Sequence, residues 1–271
     1  MKLATLQTLL LDGDGVLWRS NDAIPGLNRF FDVLAQRGIG WALLTNNNTR
    51  TVDDYVHKLR GFGVEAEASR IFTSSTVTAD YVEQRYGHGA PVHVVGMGGL
   101  IETLTGAGFR VTHGEEMPPG PVVAVVAGMD RAITHEKIKV AMRLILGGAE
   151  FVATNTDGNF PTPDGLSPGT GMVIGALQAV TGVQPTVIGK PQVAIYQAAM
   201  RHLGADPSTT AMLGDRLDTD ILGAQRAGIG SIAVLTGVIT REQLAASEIQ
   251  PDLVFESIAE LADALADARG V

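Results

Sequence analysis

The stretch Leu9-Leu10-Leu11-Asp12-Gly13-Asp14-Gly15-Val16-Leu17-Trp18 decides how this chain is read. Its three leucines close the apolar run Leu6 to Leu11, which predicts a short buried strand. The Asp-Gly-Asp-Gly string predicts a tight turn at the strand's carboxyl end, where Gly13 and Gly15 permit close backbone approach. Two carboxylates two residues apart suit a hard cation held through oxygen, or a division of labour between nucleophile and proton carrier. The string alone reads equally as a polar turn, so its surroundings must decide. Downstream, Pro25 opens a helical stretch through Leu27, Phe30, Phe31 and Leu34 that Gly38 closes, and Ile39 to Leu44 is a second buried strand. Strand, helix and strand make a βαβ unit and predict parallel pairing in an α/β sheet.

The second half of the chain repeats this grammar. Strands are predicted at Thr186 to Ile188, Ala211 to Leu213, Ile232 to Leu235 and Leu253 to Phe255, and helices at Gln192 to Leu203, Thr219 to Ala227 and Ile258 to Ala268. Between them lies a block with strands at Val92–Val95, Val122–Ala127 and Phe151–Thr154 and helices near Leu100–Thr105, Glu136–Leu146 and Gly171–Val180. The expected organisation is a discontinuous core of residues 1–79 and 186–271, interrupted by an inserted α/β domain over 80–185.

Composition narrows the function. A chain of 271 residues with 45% hydrophobic side chains builds a core without staples, and no cysteine is present for disulfides, thiolate zinc sites or thiol nucleophiles. Twenty basic against 29 acidic residues give a net charge of −9, a poor profile for nucleic acid or an anionic membrane surface, though no bar to a small phosphate in a local positive pocket. No apolar run is long enough to span a bilayer, and the N-terminal segment reads as a strand, not as a signal peptide, so a cytoplasmic protein is expected. His57, His88, His93, His113, His135 and His202 show no metal-site spacing; Gly96-Met97-Gly98-Gly99 lacks the further glycine of a dinucleotide fingerprint and reads as a turn.

Three further strand ends carry polar residues. Leu43-Leu44-Thr45-Asn46-Asn47-Asn48 brings a hydroxyl, amides and backbone N–H groups able to hold phosphate oxygens, although Thr/Asn clusters also make caps and turns. Val187-Ile188-Gly189-Lys190-Pro191 places one ammonium directly after an apolar strand, where it can neutralise a phosphate and an aspartate together. Ala211-Met212-Leu213-Gly214-Asp215-Arg216-Leu217-Asp218-Thr219-Asp220 follows a strand with acids; Asp215, nearest the strand, is the better metal ligand, Asp218 reads as a helix N-cap and Asp220 as support for a metal's water shell.

In order and wording, these four segments resemble the four motifs of the haloacid dehalogenase superfamily, and within it subfamily IIA, the NagD-like and p-nitrophenyl phosphatases. Ala153-Thr154-Asn155-Thr156-Asp157 and Pro168-Gly169-Thr170-Gly171 resemble that subfamily's cap. The resemblance implies a Rossmann-like parallel core with a cap of the C2 type and a Mg²⁺-dependent phosphomonoester hydrolase. It implies Asp12 as nucleophile forming an aspartyl-phosphate, Asp14 as proton carrier, and Thr45, Asn46, Asn47 and Lys190 around the phosphate. Mg²⁺ is implied on Asp12, the Asp14 backbone carbonyl and Asp215. Two alternatives stay open, a phosphotransferase or mutase and a non-catalytic phosphate-ligand binder. Nucleotides, phosphoglycolate and sugar phosphates all fit as substrates, as does p-nitrophenyl phosphate; vertebrate pyridoxal phosphate phosphatases have a histidine where this chain has Phe160, which counts against that cofactor. Asn155, Asp157 and Phe160 are expected to contact the leaving group. Cap-mediated homodimers occur in the subfamily, and Val122–Ala127 reads either as such a contact or as an internal strand.

Overall fold

The computed structural model describes residues 1–162 and 165–268, and the chain divides into two compact units. The first comprises Met1–Thr45, Val52–Phe72 and the chain from Lys190 onward; the second comprises Asn46–Thr51 and Thr73–Gly189.

A six-stranded sheet organises the first unit, in the order Leu253–Phe255, Gly230–Val234, Thr210–Gly214, Thr8–Leu11, Gly40–Thr45, Ile71–Thr73. The first five of these pair in parallel, with Leu11 opposite Leu43 on one side and Leu213 on the other. Chain order runs outward in both directions from Thr8–Leu11, so this strand is the topological switch point, where open α/β sheets form a crevice beyond their carboxyl ends. Leu9, Leu11, Leu43, Leu213, Ile232 and Val234 line one face and pack on Phe30 and Leu34 from the helix Leu27–Gln36 and on Ile258, Leu261 and Leu265 from the helix Ile258–Asp267. Each such side chain contributes roughly 1.5–3 kcal/mol by leaving water. Pro25 does not open the first helix as expected; Gly26, in the left-handed region, is its N-cap.

A five-stranded parallel sheet organises the second unit, in the order Thr186–Val187, Glu150–Ala153, Ala124–Ala127, Pro91–Val95, Arg110–His113. Val95, Val125, Ala127, Phe151 and Ala153 pack against the helices His135–Leu146 and Thr170–Thr181. Ala124–Ala127 is the fully buried middle strand, so the apolar run read either as a dimer contact or as an internal strand is internal. Thr186–Val187, read with the strands of the core, belongs instead to this sheet, because it pairs with Glu150–Ala153. A short antiparallel hairpin joins Asn159–Thr162 to Gly165–Pro168. No helix among the described residues is long and apolar enough to cross a membrane.

His93 is fully buried in the strand Pro91–Val95, opposite Thr112. Its Nδ1 lies 3.1 Å from Thr112 Oγ1, whose own proton goes to the Val92 carbonyl, so Nδ1 carries the hydrogen. Nε2 is buried with no hydrogen-bond partner among the described residues. Burial, aided by repulsion from His113, pushes the imidazole from 6.5 down to about 4. The unfolded chain therefore binds this proton first as pH falls. Stability is full above pH 6.5 and is lost on the way to pH 4, by no more than about 3 kcal/mol. Urea unfolding across this range should show a steeper acid loss in the parent than in a His93→Asn variant; equal losses would remove His93 as the cause.

Candidate active site

Asp12 continues the ladder one residue past its strand, its N–H donating to the Leu213 carbonyl at 2.9 Å. The chain then turns tightly, with the Gly13 carbonyl accepting from the N–H of Leu17 at 2.9 Å and Gly15 N–H donating to the Trp18 carbonyl at 2.7 Å. The turn buries Asp12 and leaves Asp14 exposed, with Asp14 Oδ1 accepting from Trp18 Nε1 at 2.9 Å.

Lys190 is buried at the first position after the chain leaves the second unit, and its Nζ meets Asp12 Oδ1 at 2.6 Å and Asp220 Oδ1 at 2.7 Å. Asp220 comes from a single π-helical turn, Leu217–Ile221, that precedes the helix Leu222–Ala227. That turn folds its carboxylate back so that Oδ2 accepts the N–H groups of Asp215 at 3.2 Å and Arg216 at 3.1 Å. Both oxygens of Asp220 are thus engaged in holding Lys190 and the backbone of Asp215 and Arg216, while the side chain stays within the carboxylate cluster formed with Asp12 and Asp215. Asp218 is exposed and paired with Arg216 at 3.2 Å; the N-cap of this turn is Arg216, not Asp218.

Asp215 follows the strand Thr210–Gly214, and its Oδ2 accepts from Val238 N–H at 2.7 Å. Its Oδ1 is buried and accepts no hydrogen bond among the described residues. Gly15, at φ +85°, and Gly237 both pass so close to this carboxylate that a Cβ on either would overlap it. Asp12, Asp215 and Asp220 each bring a carboxylate oxygen within 4.8 Å of the others. Among the described residues the histidines join no such cluster. Thr45 is buried at the end of Gly40–Thr45, the neighbouring strand.

Three buried carboxyl groups face one ammonium, so ionising all three would leave an excess of two negative charges that the site resists. Burial raises the pKa of Asp12, against the pull of Lys190. It raises Asp215 well above the carboxylate range, reinforced by repulsion from Asp12 and Asp220. It takes Asp220 to about 6 against Lys190. Burial disfavours the Lys190 ammonium, yet Asp12 and Asp220 outweigh it and hold the pKa well above the ordinary value. An orphaned carboxylate oxygen, an all-oxygen donor set and unbalanced charge are together the chemistry of a hard divalent cation.

Asn46 and Asn47 follow Thr45 directly but belong to the second unit. Asn46 Nδ2 reaches both oxygens of Asp157 at 3.2 Å, and Asn155 Nδ2 donates to Asp157 Oδ2 at 2.9 Å. Asn47 Oδ1 accepts from the N–H and hydroxyl of Thr49, closing its own loop. The buried Asn48 accepts from Met129 N–H at 2.9 Å and donates to the side chains of Thr154 and Thr170 at 3.0 and 3.2 Å. Phe160 lies in the strand Asn159–Thr162, and the Arg131 guanidinium sits 5.6 Å from its ring centroid. The sequence reading missed the Val238 amide and Gly237; their signal was a glycine just past the buried strand Gly230–Val234.

Residues 9–110 match the haloacid dehalogenase-like hydrolase model, and residues 187–261 match the HAD-hydrolase-like model. An acid sugar phosphatase of Staphylococcus aureus strain USA300 is 38% identical over 256 residues, covering 93% of this chain and 96% of that protein. The crystal structure of a 4-nitrophenylphosphatase from Thermotoga maritima superposes with a TM-score of 0.90 at 32% identity, covering 97% of this chain and 98% of that one. NagD from the E. coli K-12 strain gives 0.83 at 31% identity, covering 96% and 98%. With four motif segments, a parallel switch-point sheet and relatives matched over nearly their full length, the chain belongs to the haloacid dehalogenase-like hydrolase family.

Proposed function

We propose that this chain is a phosphatase that hydrolyses small phosphomonoesters, sugar phosphates among them, through an aspartyl-phosphate on Asp12. The observation that carries the reading is the pairing of Asp12 with Lys190 at 2.6 Å beside the orphaned Asp215 oxygen. Asp12 as nucleophile, Lys190 as its counter-cation and Asp215 as a cation ligand would account for this grouping at two adjacent strand ends. The names and identities of the acid sugar phosphatase and 4-nitrophenylphosphatase relatives support the substrate class.

Asp12 attacks phosphorus as the bond to the ester oxygen breaks, and Asp14 gives that oxygen a proton. Water then attacks the same phosphorus, passing a proton to Asp14, and the Asp12–phosphorus bond breaks to release inorganic phosphate. Lys190, already against Asp12, neutralises charge on the phosphoryl oxygens, with Thr45 at the neighbouring strand end. Asp12, Asp215 and the Asp14 carbonyl would hold Mg²⁺, whose charge offsets repulsion between carboxylate and phosphate. We read the segment 80–185 as the part of the chain that selects among esters, with Asn155, Asp157 and Phe160 as its candidate residues.

Asp12→Asn should fold as the parent does and retain less than about one part in a thousand of its kcat on p-nitrophenyl phosphate, since an amide is neither charged nor nucleophilic. Activity of a few per cent, with contaminating phosphatase excluded, would exclude the covalent role. Chelation should stop turnover and Mg²⁺ restore it. Asp215→Asn should lose that rescue and yet melt higher than the parent when both are metal-free, by roughly 2–4 °C for each kcal/mol of repulsion relieved. A lower metal-free melting temperature would mean that the Asp215 charge is not the strained element. Phe160→Ala should redistribute kcat/KM among bulky esters and spare the smallest; a uniform fall would make the hairpin structural.

A further inference from the structure

Trp18 is fully buried six residues beyond Asp12, and its place in the turn is more specific than that of a core aromatic. Its benzo ring occupies the space that a Cβ on Gly13 would need, so the ring lies directly under the backbone between the two aspartates. Its backbone N–H donates to the Gly13 carbonyl at 3.2 Å, and its carbonyl accepts from Gly15 at 2.7 Å. Its indole Nε1–H ends on Asp14 Oδ1 at 2.9 Å. Tyr55 stacks on the ring at 6.1 Å, and Lys58 Nζ stands 4.3 Å from the ring centroid. A cation over the indole face draws density from the ring and makes its N–H a stronger donor.

We infer that Trp18 is a positioning residue for proton delivery, its indole N–H fixing one oxygen of Asp14 so that the other faces the leaving group. The inference rests on the reading of Asp14 as the proton carrier. The bond from a fully buried indole favours one rotamer of the exposed Asp14 side chain. An indole, which donates only, cannot take the proton from the acid. During ester cleavage the proton passes from the other Asp14 oxygen to the leaving oxygen, while the Asp14–Trp18 bond persists.

The experiment uses leaving-group dependence. A nitrophenolate departs without a proton, whereas an alkoxide needs one, so a defect in proton delivery grows along a series from p-nitrophenyl phosphate through phenyl phosphate to glycerol phosphate. The full chain would carry Trp18→Phe or, to preserve ring shape while deleting only the N–H, 3-benzothienylalanine at position 18, with folding checked by circular dichroism. The expected loss in kcat/KM is about tenfold or more on glycerol phosphate and under about threefold on p-nitrophenyl phosphate, a part of the 10²–10⁴ that general acid catalysis provides. In an Asp14→Ala background the position 18 change should add no further leaving-group dependence. Uniform losses along the series from the benzothienyl variant, with Asp14→Ala still showing a graded loss, overturn the role of Trp18 and leave Asp14 standing. A uniform loss from Asp14→Ala overturns the proton-carrier reading itself.

Discussion

Lys190 stands between two carboxylates in a place that water does not reach, with a third carboxylate alongside. Taking one partner from a buried pair costs about 3–5 kcal/mol, so the ammonium cannot be spared once Asp12 and Asp220 are buried. The rest of the first unit is organised around tolerating this cluster. The switch-point strand sets Asp12 between two parallel neighbours, so that three strand ends converge. The π-helical turn spends both Asp220 oxygens on fixed donors. Gly15 and Gly237 make room for the Asp215 carboxylate, whose Oδ1 has no hydrogen-bond partner among the described residues. The apolar sheet faces and the two helices packed on them offset the strain that the site retains.

The sequence was most legible where burial was apolar and continuous. Thr8–Leu11, Gly40–Thr45, Ala124–Ala127 and Gly230–Val234 each show as runs of branched or small apolar residues, because sheets covered on both faces demand them. The helix Ser74–Tyr86 escaped because its buried face, Ser74, Ser75, Val77, Thr78, Ala79 and Val82, has only two large apolar side chains, five residues apart and so off the helical period; its capping box uses Thr73 and Thr76 in place of an acid or amide. The edge strand Arg110–His113 escaped because none of its residues is fully buried.

The candidate site was legible in its residue types and less so in its pairings. Asp12, Asp215 and Lys190 could be read from their places after apolar runs. Which of Asp218 and Asp220 turns inward could not, because a π turn shifts the facing of every residue after it relative to an α-helix. Thr186–Val187 was a strand as read, but an apolar run does not say which sheet it joins; that depended on its pairing with Glu150–Ala153, some 36 residues upstream.

The six residues after Thr45 have a bearing on modularity. Asn48 supplies the polar centre that ties Met129, Thr154 and Thr170 together, and Asn46 does the same for Asp157. The second unit is therefore written in two separate stretches of the gene. Transplanting residues 73–189 alone onto a related core would leave those buried groups to whatever side chains the recipient happens to carry. A chimera would keep its internal wiring only if Asn46–Thr51 travelled with it, which makes this hexapeptide part of the smallest exchangeable module.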